Sequence, residues 1–142
     1  MSLTQNRLGF SLIELVVVIS IIGILSSIGM SSYVQLSQRG RDDRRILDVE
    51  ALRDALKKYY HNQPGGFYPR TINEIVTGNY IDRLPVDPQS GLSSAYQYSP
   101  LPAGCNNTAG NYCLQFTISV PLERKGSSYS VQSDSIRGTI HP

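Results

Sequence analysis

The sequence predicts an α+β fold: one long N-terminal helix, apolar in its first half and amphipathic in its second, packed on a small antiparallel sheet of three to four strands. Three observations carry that reading. A nearly uncharged run, "FSLIELVVVISIIGILSSIGM", extends from Phe10 to Met30. Beyond it Ile46, Val49, Leu52, Leu56 and Tyr59 recur at helical spacing, with charges on the other faces. Later, Leu114, Phe116, Ile118 and Val120 alternate with Gln115, Thr117 and Ser119, the two-residue period of a half-buried strand. Helix and strands occupy separate stretches of chain, which segregates them in space.

The first element is long enough to cross a hydrocarbon core of about 30 Å as a helix. Ser11, Ser20, Ser26 and Ser27 interrupt it, and Glu14 is its only charge. A secretory signal peptide would use Arg7 as its charged region and Leu12 to Leu25 as its apolar core, but "SSIGMSS" supplies small cleavage-site residues only loosely. A plain membrane anchor accounts for the length and leaves Glu14 unexplained, because an acid at mid-helix costs about 2.5–3.5 kcal/mol on insertion scales. The acid needs a task.

The stretch "GFSLIELVVVISIIGIL" resembles the class III signal of type IV pilins and of the pseudopilins of type II secretion: glycine, phenylalanine, Ser-Leu-Ile-Glu, then unbroken apolar sequence. The resemblance implies a pilin-like fold. It also implies a leader, 1–9, removed by a prepilin peptidase that cuts after Gly9 and N-methylates the new terminus at Phe10. Residues 10–32 then form a transmembrane helix that becomes the filament core, and 33–142 form a periplasmic or extracellular globular domain. Within that domain the helix continues over 33–60, a loop covers 61–95 and the sheet 96–140. Glu14 corresponds to the family's acidic residue. The charge explains itself in that setting. A cleaved chain carries a free amine on Phe10 at the positive end of a helix, and pairing with a neighbour's amine relieves a carboxylate held in poorly hydrated surroundings. Many family members carry a proline further along the helix, where "SSIGMSSY" has none.

After Tyr33 the chain turns polar, "QRGRDDRRILDVEALRDALKKYY", with Asp54 and Lys58 at supporting i,i+4 spacing. Arg39, Arg41, Arg44 and Arg45 are interleaved with Asp42 and Asp43, which favours a solvated or subunit-facing charged surface over a nucleic-acid patch; a net charge of +2 is too small to argue for nucleic acid or anionic lipid as main partner. "HNQPGGFYP" ends the helix, and "TINEIV" predicts a turn or two of helix with Thr71 as cap and Glu74 three residues on. A turn-rich stretch leads to a short strand at Tyr96 to Tyr98. Strands follow in "NYCLQFTISVPLE" and "GSSYSVQSD", with "IRGTIHP" as an edge or tail. The order of tyrosine pair, Tyr-Pro, Leu-Pro-x-Asp-Pro and Tyr-x-Tyr is similar to the major pseudopilins and neighbouring pilins, with Gln89 where pseudopilins often have tryptophan.

The chain has 142 residues, and about 110 lie beyond the apolar run, enough for a small core. Cys105 and Cys113, the only cysteines, suit a disulfide closing a short loop outside the reducing cytosol, against the alternative of two free thiols. Asn106-Asn107-Thr108 matches a glycosylation sequon, a triplet common by chance. Asp82, Asp87 and Asp134 are weak calcium candidates, with ordinary turn aspartates the favoured reading; no other cofactor is expected. His61 and His141 stand in turn-rich polar sequence, and no nucleophile elbow, phosphate loop or metal-spaced cluster is present, so the chain reads as a non-enzyme and as a peptidase's substrate at Gly9–Phe10.

The function implied is that of a structural subunit: inserted once in the bacterial inner membrane, then polymerised with copies of itself and related pilins into a type IV pilus-like filament. An inner-membrane platform and ATPase would drive that step, and membrane lipid would surround the helix before it. One alternative is a major-pseudopilin-like subunit of a periplasm-spanning pseudopilus. Another is a singly anchored binding module that does not polymerise.

Overall fold

The computed structural model describes residues 9–124, 126–134 and 138–141. The predicted leader, apart from Gly9, and Arg7 with it, lie outside the described residues. Helix α1 spans Leu12–Asn62, and the chain divides into two compact units between Ser37 and Gln38. In the first unit every large apolar side chain described on α1 is exposed, among them Leu12, Ile13, Val17, Ile21 and Leu25. The helix is long and apolar enough to cross a membrane, by length and composition.

The second unit has a core. Val49, Leu52, Ala55, Leu56 and Tyr59 form the buried stripe of α1, with Ile46 half-buried beside it. That is the predicted stripe, and it ends where Gln63 N–H turns back to Tyr60 O before Pro64 and the Gly65–Gly66 turn. The short helix α2 spans Glu74–Thr77 and buries Ile75. Its entry differs from the predicted box, because the residue at the cap position is Asn73 rather than Thr71 and makes no side-chain cap bond. Glu74 does reach back to the Thr71 N–H at 3.0 Å, but the Thr71 hydroxyl donates to the same carboxylate at 3.2 Å.

The strands are β1 Gln97–Leu101, β2 Gln115–Pro121, β3 Ser128–Gln132 and β4 Thr139–His141. They pair antiparallel in chain order, β1-β2-β3-β4. Tyr98 faces Ile118 and Ile118 faces Val131, while Val120 faces Tyr129. Pro100 is tolerated because β1 is an edge, where a missing N–H costs the ladder least. Phe116, Ile118 and Val120 are buried, as alternation requires, but Leu114 is not: it precedes β2, its N–H bonds Leu101 O at 2.9 Å, and its side chain is 57% exposed. The period-two pattern ran one residue past the strand that generates it.

Candidate assembly segment and the charged clamp

Helical hydrogen bonding begins where Leu15 N–H donates to Ser11 O at 3.2 Å. Gly9 and Phe10 lie just before the helix, both exposed, Phe10 at 85%. Glu14 is exposed in the first turn of α1, where unsatisfied N–H groups give the helix its positive end. Two of the serines that interrupt the apolar run are already satisfied within the helix. Ser20 Oγ donates to Val16 O and Ser27 Oγ to Ile24 O, each at 2.7 Å. Bonds of that kind let a hydroxyl sit in apolar surroundings without an unpaired donor, so the segment presents apolar surface punctuated by one carboxylate.

The second half of α1 handles charge differently, and here the sequence reading needs correction. The arginine-rich stretch was expected to be a solvated or subunit-facing surface, yet Arg45 is 3% and Asp42 0% exposed. Arg45 Nε donates to Asp87 Oδ1 at 2.5 Å, and its Nη1 to Asp42 Oδ1 at 2.8 Å and Glu123 Oε1 at 2.9 Å. Arg41 grips Glu123 with Nε and Nη2, at 2.7 and 2.6 Å. Asp42 Oδ1 also accepts the Glu123 N–H at 2.8 Å. Its buried Oδ2 has no hydrogen bond among the described residues; Arg124 Nε stands 3.5 Å from it. Hydrogen bonds from Arg45 hold the Asp87 carboxyl well below the usual carboxylate range, against the opposing effect of burial, and Ser90 N–H adds to it. Arg41 does the same for Glu123.

Two further acids of α1 hold tyrosines. Asp48 accepts the Tyr96 hydroxyl at 2.7 Å, and Glu50 accepts that of Tyr129 and the Gly138 N–H. Gly138 is required for that approach, since a Cβ there would lie 2.2 Å from the Tyr129 ring. Burial, with Glu74 close by, pushes the Tyr59 hydroxyl up to about 12. Among the predicted arginines only Arg39 and Arg44 are exposed, and Arg44 pairs with Asp48 at 3.2 Å.

Cys105 and Cys113 are joined in a disulfide, with Cα atoms 5.2 Å apart. The loop is held from inside by Asn107, whose Nδ2 donates to Tyr68 O and whose Oδ1 accepts the Cys113 N–H, both at 2.9 Å. The three calcium candidates are not brought together. Asp87 is engaged by Arg45, Asp82 is exposed, and Asp134 is exposed and accepts from Gln115 Nε2 at 3.2 Å. Among the described residues no three His, Cys, Asp or Glu side chains are placed to hold a metal ion. His61 is exposed in the last turn of α1, and His141 Nε2 lies against the Thr139 and Ser130 hydroxyls on the surface.

Comparison with known proteins bears on the first of these regions and on the chain as a whole. Residues 4–30 match the family described as the prokaryotic N-terminal methylation motif. The chain is similar to type II secretion system core protein G of Vibrio cholerae, 30% identical over 109 residues that make up 66% of this chain and 71% of that protein. It is also similar to type IV major pilin protein PilE of Neisseria gonorrhoeae, 30% identical over 86 residues, 56% of this chain and 50% of the pilin. A fimbrial protein of Neisseria meningitidis is 39% identical over 96 residues, 64% of this chain and 55% of that protein. The chain thus spans about half the length of these pilins and more of the secretion protein. No solved structure matches it.

Proposed function

The chain belongs to the family of type IV pilins and type II secretion pseudopilins, and from that membership we propose that it is a structural subunit of a type IV pilus-like filament, polymerised through its N-terminal helix. The observation that carries the proposal is a coincidence of two properties in one segment. Within the stretch that matches the methylation motif, every large apolar side chain among the described residues is exposed and finds no core there. Such a surface has to be covered by lipid or by like helices.

The steps follow from the residues. A prepilin peptidase cuts between Gly9 and Phe10, which stand exposed just ahead of the helix, and the amine freed on Phe10 is methylated. The mature chain waits in the inner membrane with 10–32 in lipid. An assembly platform and its ATPase then extract it into the growing filament, outside the cell or across the periplasm. Glu14 sits near the membrane interface, one turn from the new terminus. Pairing with the Phe10 amine of a neighbouring copy removes a lone charge from apolar surroundings, so the correct register is favoured over slipped ones. Mass analysis of the mature protein tests the first step: a terminus at methylated Phe10 is expected, and a chain that retains residues 1–9 in its assembled form would overturn the proposal.

The secretion reading keeps one specific support, the 71% coverage of core protein G. A long surface fibre built of this chain decides for the pilus; loss of protein secretion on deletion, without any fibre, decides for the pseudopilus.

A further inference from the structure

The disulfide loop contains the one Asn-x-Ser/Thr triplet of the sequence, Asn106-Asn107-Thr108, and the filament reading makes no use of it. The two asparagines do different work. Asn107 stands at a φ of 58° and has both ends of its carboxamide engaged with Tyr68 and Cys113; it builds the loop. Asn106 is exposed, and its side chain holds nothing outside its own triplet. Its Oδ1 accepts the Thr108 hydroxyl at 2.6 Å and the Thr108 N–H at 3.1 Å. Its Nδ2 makes no bond among the described residues.

That arrangement has chemical content. An amide nitrogen is a poor nucleophile because its electrons are delocalised onto oxygen. Two donors on Oδ1 stabilise the negative charge that develops there when an Nδ2 proton is withdrawn. The nitrogen is left unengaged on an exposed loop whose ends are fixed by a covalent link. The disulfide also belongs to an oxidising compartment, the side of the membrane on which an exported chain meets lipid-linked sugars.

We propose that Asn106 is the acceptor of an N-linked glycan, transferred by an oligosaccharyltransferase from a lipid diphosphate-linked sugar. The bond that forms joins Nδ2 to the anomeric carbon; the bond that breaks joins that carbon to the phosphate oxygen. Lipid diphosphate leaves, and the amide proton passes to a base of the transferase. No electron donor or acceptor is needed. The inference goes beyond the filament reading and does not require it, since a chain anchored and exported without polymerising would present the same loop.

The test is glycopeptide mass spectrometry on the protein purified from the cells that make it, on the peptide containing Cys105 to Cys113. A sugar mass at Asn106 is expected, converting Asn106 to aspartate with uptake of heavy oxygen when the glycan is released enzymatically in labelled water. Thr108→Ser should keep the modification, while Thr108→Ala and Asn106→Gln should abolish it. Both of the latter should retain the disulfide and an unchanged melting temperature, which separates loss of the acceptor from loss of the fold. An unmodified Asn106 in the wild-type protein overturns the proposal. So does a sugar that survives Asn106→Gln, because it would then reside on the Thr108 oxygen.

Discussion

The two halves of α1 carry acids under opposite rules. Among the described residues of the first unit Glu14 is the only charge, set among exposed apolar side chains that form no core there. In the second, Asp42, Asp48 and Glu50 are each held by named partners from distant segments: Glu123 of the β2–β3 turn, Tyr96 before β1, and Tyr129 of β3. A paired acid inside a domain secures that domain, and removing its partner strands a charge. An acid with no side-chain partner among the described residues of its own chain gains from its fold only the modest attraction of the helix's positive end. Its use has to lie with another molecule. The difference predicts which mutations damage assembly and which damage folding.

The sharpest break of the comparison is Glu14→Ala. Filament recovered by shearing, or secretion if the pseudopilus reading holds, should fall by an order of magnitude or more. Cleavage at Gly9–Phe10, membrane insertion and the melting temperature of the globular unit should be unchanged. Wild-type filament yield from that variant would remove Glu14 from the register mechanism and leave the segment a plain anchor.

Arg45→Met inverts the pattern. Asp87 and Asp42 would stay buried without their shared cation, and loss of one partner from a buried ion pair costs about 3–5 kcal/mol. Denaturant unfolding of the full chain in detergent should show it, with Arg45→Lys intermediate because a single ammonium cannot reproduce the three bonds the guanidinium makes to carboxylates. The same clamp sets the acid limb of stability. Asp87 and Glu123 are held below their unfolded values by Arg45 and Arg41, so their contribution is complete above the ordinary carboxylate range. It is lost as pH falls through the depressed folded values. Tyr59 and Tyr129 contribute to the alkaline limb with the opposite sign, alongside the also raised Tyr96 and Tyr98: raised by burial to about 12, Tyr59 and Tyr129 contribute fully below pH 10 and lose their contribution as pH climbs towards 12. In Arg45→Met the acid limb should move to higher pH.

The clamp also marks where the sequence stopped being legible. The apolar run, the stripe Val49–Leu52–Leu56–Tyr59 and the alternation in β2 are periodic signals, and a period is local; each was readable and each is in the structure. Glu14 stood out in the sequence because it violates its surroundings. Arg45 was misread because its neighbours, Asp42 and Asp43, supply enough opposite charge to look like an ordinary solvated face. The partners that bury it, Asp87 and Glu123, lie 42 and 78 residues away. Nothing in the spacing of either announces the other. Asp87 was read as a turn aspartate for the same reason, and it is one, since it accepts the Ser90 N–H at 2.7 Å; the turn simply delivers it to Arg45. Asn107 escaped notice because its role depends on Tyr68, placed across the loop by the fold.

A smaller effect is expected at the disulfide. Replacing Cys105 and Cys113 together with serine frees a loop closed over a separation of eight residues, worth about 2–4 kcal/mol in typical cases. Because Asn107 still ties Tyr68 to Cys113's backbone, the loss should fall at the lower end, read as a reduced midpoint in denaturant with the cooperativity of the remaining sheet intact. A cost as large as that of Arg45→Met would mean that the covalent link, rather than the asparagine, organises this end of the domain.

The smallest effect discriminates most finely between pattern and structure. If alternation alone decided which side chains are inside, Leu114 would be equivalent to Phe116, and truncating either would cost several kcal/mol. The structure separates them. Phe116 is fully buried and meets the Tyr68 ring edge-on at 4.8 Å, whereas Leu114 stands 57% exposed before the strand begins, its backbone N–H bonded to Leu101. Phe116→Ala should therefore destabilise the globular unit by about 3–5 kcal/mol. Leu114→Thr keeps the N–H that bonds Leu101 and removes little buried surface, so its effect should stay within about 0.5 kcal/mol. If Leu114→Thr leaves stability intact yet lowers filament yield, the exposed leucine is a contact made after folding, and the globular unit too would carry a residue whose partner lies outside its own chain.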